Sequence, residues 1–269
     1  MKVLVVGGSR NIGYFVSQRL LKKGATVTFL LRNKACFDND QTIQPYIASG
    51  QARIVPGDAL KEEDHQRAWD VAAEGEGEGV DTVIFTVGGL PKFSLTKGAI
   101  IEPPDLCTRC ILNLLATFPK PGSGVPPPRL LLVSTMGLGP AAHDALPLAM
   151  KPLYSYLLRS PHADKLCMER AIAHVGGLTW SSEDIGEPSA EILPLGWDSR
   201  VGPEGWLKSF IVVRPAMLTD GKAKGAYRAS GAEIPGAYYI SRKDVAHFIV
   251  EQALSDWQKW EGKHVRITY

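Results

Sequence analysis

The chain predicts an α/β fold, doubly wound, with helices on both faces of a mostly parallel sheet of about seven strands. Three observations carry that expectation. Apolar runs of strand length alternate with helical patterns from one end to the other. The first of these runs ends in a glycine-rich turn that leads straight into an amphipathic helix. The intervening loops are too short to be interdomain linkers, and there is no internal repeat, so one unit spanning 1–269 is expected.

The strands are read from near-continuous apolar runs, the pattern of strands covered on both faces. Met1 to Val6 is the first, Ala25 to Leu31 the second and Ala52 to Val55 the third. Asp81 to Val87, Arg129 to Ser134, Phe210 to Arg214 and His264 to Thr268 complete the set. Helices fill the gaps over Tyr14 to Lys23, Leu60 to Ala73, Asp105 to Phe118, Ala163 to His174 and Arg242 to Leu254. Ser241 stands where an N-cap hydroxyl would receive the first free N–H groups of the last helix.

Composition excludes several classes. With 269 residues, 45% of them hydrophobic, a sizeable core can form, and a net charge of +2 gives no strong pull toward nucleic acid or an anionic membrane. Cys36, Cys107, Cys110 and Cys167 do not form a disulfide framework. Cys107 and Cys110 read formally as C-x-x-C, yet they fall in a helix and lack a second pair to complete a metal site, so no metal is expected. The opening apolar run stops at Gly7, too short for a signal segment, and no stretch approaches the roughly 18 apolar residues of a membrane span. A soluble, cytoplasmic protein, monomeric or homodimeric, is the expectation.

The most informative motif is Gly7-Gly8-Ser9-Arg10-Asn11-Ile12-Gly13, set between the first strand and the first helix. A tight strand-to-helix turn without side chains in the way brings backbone N–H groups and a helix N-terminus up to a pyrophosphate, as in a Rossmann dinucleotide site. Gly7 serves the turn and Gly13 the close approach of helix to strand. Asn11 occupies the place of a middle glycine, and Asn is the side chain that best tolerates positive φ after Gly. Selectivity is read from the end of the second strand. Where a carboxylate would grip a ribose 2′-OH, about 20 residues past the loop, the chain has Leu31-Arg32-Asn33. Arg32 and Arg10 together place two guanidinium groups where a 2′-phosphate would sit, so NADP(H) is expected in preference to NAD(H).

Taken together, the glycine loop, Gly57-Asp58, Thr86-Val87-Gly88-Gly89, Ser134-Thr135, Asp164-Lys165 with Glu169, Val213-Arg214-Pro215 and Ile240 to Ala246 resemble an atypical short-chain dehydrogenase/reductase. The nearest-looking branch holds the nitrogen-metabolite-repressor-like and flavin/biliverdin-reductase-like proteins. That resemblance implies that Asp58 and Ala59 lie by the adenine, that Val87 and Gly88 line the ribose side, and that Ser134 or Thr135 faces the nicotinamide. It also implies a Tyr-x-x-x-Lys pair, in which the Tyr donates a proton and the Lys holds the nicotinamide ribose. Lys165 fits the lysine, but Pro161 stands four residues before it and has no proton to give. Tyr154, Tyr156 and His162 are the candidates to take its place.

A missing acid suits conjugated or aromatic acceptors, because a simple ketone needs its alkoxide protonated promptly. The reading is therefore an NADPH-dependent reductase of a small enone, quinone, imine or flavin, with Ser134, Thr135 and Lys165 stabilising the developing charge. A non-catalytic NADP(H)-sensing regulatory protein and a non-redox isomerase or cyclase on the same fold remain open. One segment falls outside the family pattern. Residues 181–209, rich in Glu, Gly and Pro, carry Trp197 and Trp206 just before the sixth strand. They read either as a lid that stacks a planar substrate on a tryptophan or as a surface excursion covering an apolar patch.

Overall fold

In the computed structural model of the protein the described residues are 1–269 without 76, 78, 91, 95–97, 145–147, 149, 150 and 152–157. The first half forms β1 (Lys2–Val6), α1 (Asn11–Lys22), β2 (Thr26–Leu31), α2 (Gln44–Ala48), β3 (Ala52–Pro56), α3 (Glu62–Ala73) and β4 (Thr82–Phe85). A hairpin of β5 (Lys92–Ser94) and β6 (Gly98–Ile100) precedes α4 (Leu106–Thr117), β7 (Arg129–Val133), α5 (Gly139–Asp144) and α6 (Arg159–Gly176). Two short helices, α7 (Ser182–Ile185) and α8 (Trp197–Val201), lead to β8 (Phe210–Pro215), β9 (Met217–Thr219), β10 (Arg228–Ser230) and β11 (Tyr239–Ser241). The chain closes with α9 (Arg242–Phe248), a π-helical turn at Ile249–Ala253, α10 (Trp257–Trp260) and β12 (Lys263–Thr268).

The main sheet has eight strands in the order β10-β12-β8-β7-β4-β1-β2-β3. All neighbours are parallel except β10, which runs antiparallel to β12. It is one strand more than the apolar runs indicate, because Arg228-Ala229-Ser230 is a short edge strand with no apolar run of its own. The chain winds outward from β1 to β3 and then returns to β4 on the other side of β1. A crevice therefore opens above the carboxyl ends of β1 and β4, where the strand order reverses.

Alternation along the strands divides the core between the two faces. Leu4, Val6, Phe85, Leu132 and Val212 pack under α3, α4 and α6 with Ile111 and Ile172. Val3, Val5, Phe29, Leu131 and Val213 pack under α1 and α9 with Val16 and Ile249. Among the described residues no helix is long and apolar enough to cross a membrane.

Helix α6 starts a turn earlier than Ala163 and takes Pro161 into its first turn, where the N–H that proline lacks has no intrahelical partner to lose. Two buried carboxylates fasten this helix. Asp164 accepts the N–H groups of Cys107 and Thr108 at 2.8 Å each, and so caps α4 from outside that helix. Glu169 meets Arg214 of β8 through both carboxylate oxygens, with His264 of β12 at 3.3 Å. Burial opposes the Glu169 charge, but the Arg214 guanidinium overcomes it and, with His264, holds the carboxyl well below the usual range.

The segment 181–209 is a strap on the outer side of α4 and α6. Its α7 rests on α5, where a side chain at Gly139 would strike the backbone of Ile185. Its α8 lies against α4 and α6. Trp206 donates to the Val201 carbonyl at 2.9 Å and meets Phe118 edge-on, just beyond the end of α4. Trp197 sits edge-on to His174, in the last turn of α6. Both tryptophans therefore pack at the ends of α4 and α6 that point away from the crevice, which corrects their reading as a stacking platform for substrate.

Candidate functional site

The crevice, about 530 Å³, is built from the bottom by the glycine loop. Gly7 has φ +93°, and a Cβ there would lie 2.7 Å from the backbone of Thr86 and Val87. Gly8 abuts the side chains of Phe29 and Val5. At Gly13 a Cβ would run into the Thr86 hydroxyl and come within 2.5 Å of the Gly7 carbonyl. Neither Gly8 nor Gly13 faces the crevice; both let helix and strand close up beneath it. Asn11 has φ +56° and is the one non-glycine in that region among the described residues. Its short side chain allows the turn that a glycine would otherwise supply.

These residues deliver a phosphate-binding geometry. Arg10, the N-cap of α1, makes no side-chain cap bond, so the first-turn N–H groups of a twelve-residue helix remain available to an anion at the loop. Gly7, Ser9, Arg10, Asn11 and Ile12 line the crevice, with Arg32 and Asn33 at the end of β2. Asp58 and Ala59, at the end of β3, line the same side. The Asp58 N–H donates to the buried Asp64 carboxylate at 2.7 Å, and the Ala59 carbonyl accepts from Asn113 at 3.2 Å. Burial disfavours the Asp64 charge, yet the Asp58 N–H and Arg67 hold its carboxyl below the ordinary range.

The other end of the crevice is lined by Val87, Gly88 and Gly89 after β4, and by Val133, Ser134 and Lys165. The Lys165 ammonium donates to the Val87 and Val133 carbonyls, each at 3.0 Å, so it bridges the ends of β4 and β7 from α6. The Ser134 Oγ is buried, and it has no hydrogen-bond partner among the described residues. Ser134 itself lines the crevice, and a buried hydroxyl without a partner there is a donor not yet used within the protein.

Other candidates lie elsewhere. Thr135 is not among the residues that line the crevice, and its hydroxyl donates to the Met136 carbonyl at 3.1 Å. His162 does not line the crevice; burial, aided by His143, pushes its pKa down to about 4, so it is neutral near pH 7. Tyr154 and Tyr156 lie outside the described residues. Cys107 is buried in α4, its thiol pushed up to about 12 by that burial. Leu106, Cys110, Leu218 and Arg242 also line the crevice, unforeseen from the motifs. The first two lie on a helix whose apolar face explained them already, and the last two follow β8, far from any glycine signal.

The sequence pattern of the family described as NAD(P)H-binding matches residues 7–182. A reductase, pytE of Aspergillus terreus, is 30% identical over 199 residues, which span 70% of this chain and 67% of the relative. Among solved structures, a wide-type short-chain dehydrogenase/reductase of Veillonella parvula in complex with NADP aligns with a TM-score of 0.63 at 13% identity, covering 99% of this chain and 94% of the other. ChuY, an anaerobillin reductase of Escherichia coli O157:H7, aligns with a TM-score of 0.61 at 15% identity, covering 99% and 96%. At such identities these structures share the fold.

Proposed function

Because the chain belongs to the NAD(P)H-binding family, as an atypical short-chain dehydrogenase/reductase, we propose that it is an NADPH-dependent reductase of a small conjugated or aromatic acceptor. Enones, quinones, imines and flavins are the acceptor types in view. The observation that carries this reading is the presence of the unpartnered Ser134 hydroxyl and the pinned Lys165 at one end of a crevice whose other end holds Arg10 and Arg32. The relative named as a reductase supports the same reaction class.

On this reading the bound dinucleotide supplies the hydride. The loop Gly7 to Ile12 and the first turn of α1 receive its phosphates, while Arg10 and Arg32 form charge-assisted bonds to the 2′-phosphate. Asp58 and Ala59 flank the adenine, and Val87 and Gly88 the ribose. Lys165 fixes the floor by holding two carbonyls and presents its positive charge to the site. Ser134 donates to the acceptor atom on which negative charge develops. Pro161 leaves the tyrosine position of the family without an acid, so the final proton comes from solvent. An acceptor that delocalises its charge tolerates that delay.

Steady-state oxidation of NADPH by the purified full chain tests this, with quinones, enones, imines and flavins compared against simple ketones. Turnover is expected for the conjugated set. Better turnover of simple ketones would overturn the acceptor class, and tight NADPH binding without turnover of any acceptor would point to the sensing role instead.

A further inference from the structure

Arg242 reaches the crevice from the far end of the chain, beyond the residues 7–182 that the family pattern covers. It opens α9, which packs along α1, and the neighbouring Lys243 holds its ammonium 5.6 Å from the ring of Phe15 in α1. The start of α9 is firmly set. Ser241 caps it by accepting the Asp244 N–H at 3.0 Å, and the Asp244 carboxylate gathers the N–H groups of Lys224 and Gly225 and the Tyr269 hydroxyl. The backbone that carries Arg242 is therefore fixed, and Arg242 lines the same crevice as Gly7, Ser9, Arg10, Asn11 and Ile12.

Its location differs from that of the arginines already discussed. Arg32 stands at the end of β2, on one side of β1, whereas Arg242 enters with the segment that follows β8, from the other side. Its ion-pair partner among the described residues is Asp220 at 2.7 Å, whose side chain is 84% exposed. A solvated carboxylate holds an arginine weakly and yields to a better-buried anion.

We propose that Arg242 binds the diphosphate bridge of the dinucleotide, and that Asp220 holds the guanidinium until the diphosphate replaces it. The inference rests on the crevice being a dinucleotide site. It divides the work among the guanidinium groups. Arg10 and Arg32 read the 2′-phosphate and so distinguish NADPH from NADH, while Arg242 reads the group common to both and adds affinity without selectivity.

Calorimetric titration of the full chain with NADPH, NADH and adenosine 2′-monophosphate separates these roles. Arg242→Gln is expected to weaken NADPH and NADH by the same factor, about tenfold to a hundredfold, and to leave adenosine 2′-monophosphate unchanged. Arg242→Lys restores part of the affinity for both dinucleotides, since the charge stays and the planar fork is lost. A loss confined to NADPH and adenosine 2′-monophosphate would assign Arg242 to the 2′-phosphate and overturn the proposal. Unchanged affinity for all three would overturn it as well. Should Arg242→Gln fail to fold, Asp220→Asn decides at an exposed position. Both dinucleotides are expected to bind about twofold to fivefold more tightly, and no change, or a change in only one, contradicts the exchange. Failure of the wild-type chain to bind any of the three probes would remove the dinucleotide reading itself, and this proposal with it.

Discussion

The ammonium of Lys165 lies 3.0 Å from the carbonyl oxygen of Val87, and through this contact α6 is joined to the loop that follows β4. Its second bond, to Val133, makes the same side chain a crosspiece between two strand ends. Lys165→Met leaves two carbonyls without their donor, at a cost of about 1–3 kcal/mol in stability, and removes the positive charge from the crevice. Thermal unfolding together with NADPH titration and turnover checks this. A folded variant with wild-type affinity and turnover would exclude Lys165 from the site.

Changing Arg10 and Arg32 together to Ala is expected to weaken NADPH about tenfold to a hundredfold and NADH far less, the worth of about 1.5–3 kcal/mol of charge-assisted phosphate contact. Fluorescence titration with the two cofactors decides the point. Equal weakening would show that these side chains do not read the 2′-phosphate.

Gly13→Val drives a branched side chain into the Thr86 hydroxyl and the Gly7 carbonyl, both belonging to parts of the chain that cannot retreat without reshaping the loop. Reduced stability and lost NADPH binding are expected together. A denaturant melt and a cofactor titration on the same sample test it, and normal binding would mean that the loop adapts.

Trp206→Ala should lower stability by about 2–3 kcal/mol, because the ring packs on Phe118 and under the Lys120 ammonium, 4.7 Å from its centroid. Turnover and cofactor affinity are expected to stay near wild type. A selective loss of turnover in a variant of unchanged stability would return the strap to the substrate.

Acid should destabilise the protein in two stages. The buried His162 has its pKa lowered to about 4 by burial, with His143 adding to the effect, and burial lowers that of His65 also. Between an ordinary histidine pKa of about 6.5 and that value the unfolded chain binds more protons, so stability falls as pH drops through this window. Below about 4.3 the unfolded chain also protonates the glutamate corresponding to Glu169, which the folded chain keeps ionised, and stability falls further. Unfolding midpoints from pH 7.5 to 3.5 measure both stages. His162→Gln should flatten the first stage and leave the second, and an unchanged slope would assign the first stage to other groups.

The parallel core was legible because strands covered on both faces read as near-continuous apolar runs, as Val83 to Phe85 and Phe210 to Val213 do. The edge strand Arg228–Ser230 escaped, since an antiparallel edge needs no such run and its pairing with β12 is decided by distant residues. The glycine loop and Arg32 were readable from their places at the ends of β1 and β2, and Asp58, Val87, Ser134 and Lys165 through the family resemblance; apart from Gly8 and Gly13 of the loop, all of them line the crevice. Arg242 was not readable, since only the packing of α9 on α1 brings it there. Trp197 and Trp206 misled for a general reason. A tryptophan in an insertion signals apolar contact, and whether that contact is a ligand or a neighbouring helix depends on where the segment runs.

The two carboxylates that fasten α6 have a mechanical consequence. Asp164 secures the helix to α4, and Glu169, little more than a turn further on, secures it to β8 and β12. A rod anchored at two points so close together, to different neighbours, can neither slide along its axis nor roll. On the proposed reductase reading, the crevice wall that carries Lys165 is therefore expected to keep its shape from one acceptor to the next. With no induced adjustment on that side to favour one molecule over another, rates across a series of similarly sized acceptors should track their own electron affinity, a straight line on a plot of log rate against reduction potential.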